Sequence, residues 1–200
     1  MAVVTAQLPR RQLVRRARQL AWGGIGWHAV EFAVALGAGL AAGSIALVAF
    51  GIDSLVEAAA GFAVIWRLGS ETRERRAQQV IAVSFFLLAA YVAVEAVRTL
   101  AAGDRPEVSW LGIALAAVTA IAMPVLATAK RRVGQSLGSA ATVQEGRQNM
   151  LCAYLSVALL AGLLANALAG WWWADPLAAL VIAVVALNEG RETWRGDECC

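Results

Sequence analysis

An all-α membrane protein, a bundle of six transmembrane helices with both termini on the cytoplasmic side, is predicted from three observations. The chain is 60% hydrophobic and 16% charged, against about 25% charged for an ordinary soluble domain. Its apolar residues gather into six runs of membrane-crossing length, separated by polar or Gly- and Pro-bearing breaks. Its basic residues fall mostly on the stretches that six crossings would leave on one side, and by the positive-inside rule that side is cytoplasmic.

Residues 1–19 form a basic cytoplasmic tail with Arg10, Arg11, Arg15, Arg16 and Arg18. They hold no apolar core of the kind a cleavable signal needs, so the first span is expected to direct its own insertion. The transmembrane domain covers residues 20–188. Span 1 runs from about Leu20 to Ala41, and the glycines from Gly37 to Gly43 turn the chain into span 2, from Ser44 to Trp66. That second run is about 23 residues, or roughly 34 Å of helix, enough to cross a bilayer. Arg67, Arg73, Arg75 and Arg76 mark a solvated loop or helix extension before span 3, from about Val80 to Leu100. Gly103 and Pro106 make a turn into span 4, from Trp110 to Ala129, where Pro124 removes a backbone donor and Lys130, Arg131 and Arg132 close the run. A polar, small-residue segment from Val133 to Gln148 precedes span 5, from Asn149 to about Asn166. Trp171, Trp172 and Trp173 suit a headgroup interface before span 6, which reaches about Leu187 and leaves a short cytoplasmic tail at 189–200.

The net charge of +3 does not imply nucleic acid, because the basic residues flank apolar runs instead of lining a stripe with interleaved aromatics. Cys152, Cys199 and Cys200 give no disulfide framework and read as thiols.

Polar side chains inside the spans carry the functional reading. Asp53 and Glu57 stand four residues apart, one helical turn on one face, near the middle of span 2. An ionised carboxylate at that depth costs at least about 2.5 kcal/mol on insertion scales, so the pair implies a compensating divalent cation or proton. Glu145, Gln148 and Cys152 share a face at the start of span 5. Measured along each helix, Glu57 and Cys152 are both about 20 Å from the outer end, so spans 2 and 5 bring them to one level. Asp53, Glu57, Gln148 and Cys152 make a candidate four-coordinate site whose carboxylate and sulfur donors fit zinc, with cadmium, manganese and iron as further cargo. Taken alone, Gln148 and Cys152 equally suit interhelical hydrogen bonding and packing. His28 and Glu31, three apart in span 1, and Glu145 are candidates for a proton relay or metal entrance. Glu95 pairs with Arg98 by spacing, and Asp175 before Pro176 reads as a helix cap. Asp197, Glu198, Cys199 and Cys200 read as a frayed end or a collector of soft cations.

Several segments together resemble the cation diffusion facilitator (cation efflux) family. They are Gly43 to Leu47 followed by Asp53 to Glu57, Tyr91 to Leu100, Gly138 to Ala141, and Trp173 to Ala179, in that order. The resemblance implies a six-span exporter of zinc and similar divalent metals in exchange for protons. It also implies a metal held by two residues four apart in span 2 and two in span 5, which fall on Asp53 and Glu57, then on Gln148 and Cys152. Where the family carries His and Asp in span 5, this chain has an amide and a thiol, which favours softer ions. Members commonly add a cytoplasmic metal-binding domain after span 6; this chain is expected to be a short form without it, with any homodimer contacts carried by the membrane part.

The expected activity is therefore divalent-metal/proton antiport in the bacterial cytoplasmic membrane, with metal as substrate and no cofactor. The alternative is a membrane metal-binding or sensor protein that carries nothing across. An enzyme is not expected, since Cys152 and His28 have no visible third partner or oxyanion donors.

Overall fold

The computed structural model describes residues 9–66 and 71–195, apart from the side chains of residues 60, 63–66, 71–78 and 140–141. The expected soft-cation tail from Asp197 to Cys200, Arg67, and the side chains of Arg73, Arg75 and Arg76 lie outside the described residues.

The described chain is six α-helices: α1 Arg10–Ala42, α2 Ile45–Trp66, α3 Glu71–Ala102, α4 Trp110–Leu137, α5 Ala140–Ala169 and α6 Ala174–Arg195. Among the described residues four segments are long and apolar enough to cross a membrane: Arg10–Ala42, Gln79–Ala102, Trp110–Leu137 and Thr142–Ala169. Their outward faces are apolar: Leu87 is 67% exposed, Ile121 74% and Leu168 78%, which in water would be costly and in lipid is neutral.

The helices outrun the apolar stretches. Helix α1 passes through the arginines as far as Arg10, and α5 begins at Ala140, nine residues before the expected start of span 5 at Asn149. Helix α4 continues through Pro124 and ends at Leu137. Breaks come where the backbone needs them. Gly43, Gly103, Gly138 and Gly170 take positive φ just past the ends of α1, α3, α4 and α5, a conformation that a Cβ disfavours. Ser109 and Ser139 accept hydrogen bonds from Gly112 N and Thr142 N at the starts of α4 and α5.

Short connections make α1–α2 and α4–α5 antiparallel hairpins, and both pack closely on small residues. A Cβ at Gly51 would lie 2.9 Å from Leu36 N, and one at Gly134 would lie 2.8 Å from Val143 N, so backbone approaches backbone as it does in lipid-embedded bundles. The other extensive pairing is α3 with α6, and α1–α4, α2–α6, α5–α6, α2–α3 and α2–α5 interfaces join the three pairs.

At one end of the bundle the connections are tied together. Ser44 accepts from Leu47 N at 3.1 Å and donates to Asp175 Oδ1 at 2.5 Å, while Asp175 Oδ2 accepts from Ala46 N at 3.3 Å. Asp175 is thus a cap, for the start of α2 as well as a first-turn acid of its own α6. Glu107 N donates to Ala42 O at 2.8 Å and Asn166 Nδ2 to Pro106 O at 3.0 Å, fastening the α3–α4 connection to α1 and α5. The opposite end carries the start of α1, the end of α4 and the end of α6, where Arg10 to Arg18, Arg131, Arg132, Arg191 and Arg195 sit.

Candidate metal site

Between the two hairpins lies a polar centre that begins with Glu31. A carboxylate wholly removed from solvent has to find donors, and Glu31 finds four. Its Oε1 accepts from Trp27 Nε1 and from Thr119 Oγ1, each at 2.6 Å, and its Oε2 from His28 Nδ1 at 2.9 Å and Ser54 Oγ at 3.4 Å. Helices α1, α2 and α4 each contribute. Trp27 and His28 can do so because positions three and four apart on α1 share a face with Glu31.

The imidazole of His28 stands at the junction. Nδ1 is 2.9 Å from Glu31 Oε2 and 3.3 Å from Glu57 Oε2, and Nε2 is 3.1 Å from Asn149 Nδ2. An amide nitrogen only donates, so Nε2 accepts and Nδ1 carries the hydrogen. Asn149 Nδ2 also reaches Met123 Sδ at 3.3 Å. Cys152, wholly buried on α5, lies beside the Glu57 carboxylate. Asp53 is buried one turn before Glu57 on the same face of α2.

His28, Glu31 and Cys152 each present a ligand atom, and these atoms lie within 4.8 Å of one another. Nitrogen, carboxylate oxygen and sulfur converging from two hairpins is the donor set that zinc-like ions favour. Glu57 adjoins both the imidazole and the thiol.

The expected meeting of span 2 with span 5 is therefore present in the contact of Glu57 with Cys152, with Asp53 buried alongside. Gln148 stands apart from that contact: it is half-buried and lines a small cavity with Glu145, Lys130, His28 and Glu57. Its neighbour Asn149 is the residue that touches His28, and it was missed. The face chosen for span 5 took Glu145, Gln148 and Cys152, but Glu145, Asn149 and Cys152 satisfy helical spacing equally well, and that was the available signal. His28 and Glu31, expected at an entrance or relay, occupy the middle of the cluster. Lys130, expected to close span 4 at the surface, is turned inward instead, with Nζ 3.4 Å from Glu145 Oε2 and its side chain only 6% exposed. Glu95 and Arg98 form the expected local pair at 2.8 Å.

Comparison with curated proteins finds no match. The cation efflux transmembrane domain, by contrast, matches residues 27–195, which covers the polar centre and all but the start of the helical bundle. The chain belongs to the cation efflux family, whose members are multi-pass membrane proteins that transport cations.

Proposed function

We propose that the protein exports a divalent transition-metal ion, zinc-like in its ligand preference, in exchange for protons. In this reading all six helices span the bacterial cytoplasmic membrane with both termini inside, and the ion is held by Asp53, Glu57 and Cys152 together with His28 and Glu31. Gln148 is the most peripheral of the proposed ligands, on the side of the basic end of the bundle. The observation that carries the reading is the position of His28 Nδ1 between two buried carboxylates, with the Cys152 sulfur within 4.8 Å of the His28 and Glu31 ligand atoms. Support for the orientation comes from the gathering of arginines at one end of the bundle.

Chemically, the place where an ion would sit is spanned by hydrogens. The imidazole N–H points at carboxylate oxygen and the Cys152 thiol lies beside Glu57; a metal ion needs a nitrogen lone pair, which a shift of the ring hydrogen to the other nitrogen supplies, and the thiolate, so it enters as the thiol proton leaves. Exchange at one place is what couples two fluxes. The donors come from both hairpins, so rocking of one against the other would open the site to alternate sides. A homodimer formed through the membrane helices is part of this proposal.

Metal flux into proteoliposomes tests it. Asp53→Asn and Glu57→Gln should each insert normally and each reduce zinc flux more than about tenfold, because each removes a charge that offsets the ion. Flux within about twofold of the parent for either variant would remove that residue from the site. A parent protein that binds zinc but carries none would be a metal-binding or sensor protein.

A further inference from the structure

Among the described residues three buried side-chain oxygens have no hydrogen-bond partner: Glu57 Oε2, Glu145 Oε1 and Asn149 Oδ1. All three residues line the same cavity, of about 20 Å³, whose wall also includes His28, Lys130 and Gln148. Unpaired buried acceptors are rare in folded proteins, and each is costly. Three around one cavity share a cause. The space suits about one water-sized occupant, and a water has two hydrogens where three acceptors wait. A cation answers all three at once.

The cavity joins the metal cluster to the basic end of the bundle. Glu57 belongs to both: its Oε2 is 3.3 Å from His28 Nδ1, whose hydrogen goes to Glu31. At the other end the Lys130 ammonium is 3.4 Å from Glu145 Oε2, and both side chains are at least nine-tenths buried. That ammonium is seated against Gly24 of α1, where a Cβ would come within 2.8 Å of Nζ. The chain therefore keeps a tethered cation beside the cavity and leaves Glu145 Oε1 turned from it.

We propose that this cavity is a second cation subsite on the transport path, in which Glu145, Asn149 and the shared Glu57 receive the divalent ion before it passes to His28, Glu31 and Cys152, with Lys130 as the tethered cation that balances Glu145 while the subsite is empty. The proposal rests on the metal reading given above and extends it. Its ligands are all oxygen, so it takes divalent cations with little discrimination, and selection is left to the nitrogen and sulfur cluster beyond it. An arriving ion takes Glu145 from Lys130. No charge is then left unpaired in the interior except that of the lysine, which the two added charges of the ion displace towards the basic end and water.

Arrival at the cluster can be timed separately from binding. Full-length protein with Cys199→Ser and Cys200→Ser is mixed rapidly with cadmium, and the cadmium–thiolate absorption of Cys152 is followed. Glu145→Gln should slow its appearance about tenfold while leaving the equilibrium affinity within about twofold, and Lys130→Met, which frees Glu145, should speed it by a similar factor. The double variant buries no unpaired charge, so it remains informative if a single variant fails to fold, and it should be as slow as Glu145→Gln. Unchanged rates in the variants that fold, or rate and affinity shifting in the same proportion, would overturn the subsite and leave the cluster standing. Absence of the thiolate band in the parent protein would overturn the cluster reading itself.

Discussion

Cys152 is where the chemistry of this chain gives a sign as well as a site. Its thiol is wholly buried and lies within 4.8 Å of ligand atoms on His28 and Glu31. Sulfur favours cadmium and zinc, whereas a carboxylate in its place suits manganese. Cys152→Asp should therefore lower the cadmium-to-manganese affinity ratio by about tenfold or more, and Cys152→Ala should weaken cadmium more than manganese. Competition between the two ions in the three proteins checks this, and an unchanged ratio would make Cys152 a packing residue. At this scale the carboxylates were legible in the sequence because charge in an apolar run has few explanations. Asn149 was not, since two amides side by side in Gln148 and Asn149 satisfy the same helical spacing and only the rotation of α5 against α1 decides between them. The inward turn of Lys130 was equally hidden. A lysine beside two arginines reads as surface until its partner Glu145, across the α4–α5 interface, is known.

The helices are set by two different physical requirements. Lipid demands apolar side chains only across the hydrocarbon, but backbone hydrogen bonding continues into water, so α1 reaches back to Arg10 and α5 to Ala140 beyond their apolar runs. Hydropathy located the helices and underestimated their lengths. The turns at Gly43 and Gly103 were legible, whereas α4 runs past its expected end at Ala129 and stops only at Gly138. Asp175 was legible as a cap, but not the second helix that it caps, whose start is more than 100 residues away. It joins Ser44 Oγ and Ala46 N at the start of α2 with the start of α6, and its loss would leave both donors buried without an acceptor. Asp175→Ala is expected to cost about 1–3 kcal/mol, read as a lower unfolding midpoint in detergent. Asp175→Asn, which keeps one acceptor oxygen, should lose less, and equal loss in the two would mean that the side chain only fills space.

Taken as one body, the molecule places its polar centre across the seam between hairpin α1–α2, which carries His28, Glu31 and Glu57, and hairpin α4–α5, which carries Cys152 and Asn149. Across this seam the Asn149 amide hydrogen-bonds to His28 Nε2 and the Cys152 thiol lies beside Glu57. A metal ion in the same place would be held by thiolate and by an imidazole nitrogen whose hydrogen shifts to the other ring nitrogen, so it is the thiol that must give up its proton. Metal binding should therefore release protons. The affinity should weaken as pH falls, by about tenfold per pH unit for each proton released. Calorimetric titration with zinc in buffers of different ionisation enthalpy counts those protons. The expected outcome is a release of at least one per ion in the parent protein and fewer in Cys152→Ser, whose hydroxyl gives up no proton at neutral pH. Zinc binding that releases none, with an affinity independent of pH between about 5.5 and 7.5, would mean that the thiol does not yield its proton to the ion, and exchange at a shared place would no longer account for the coupling.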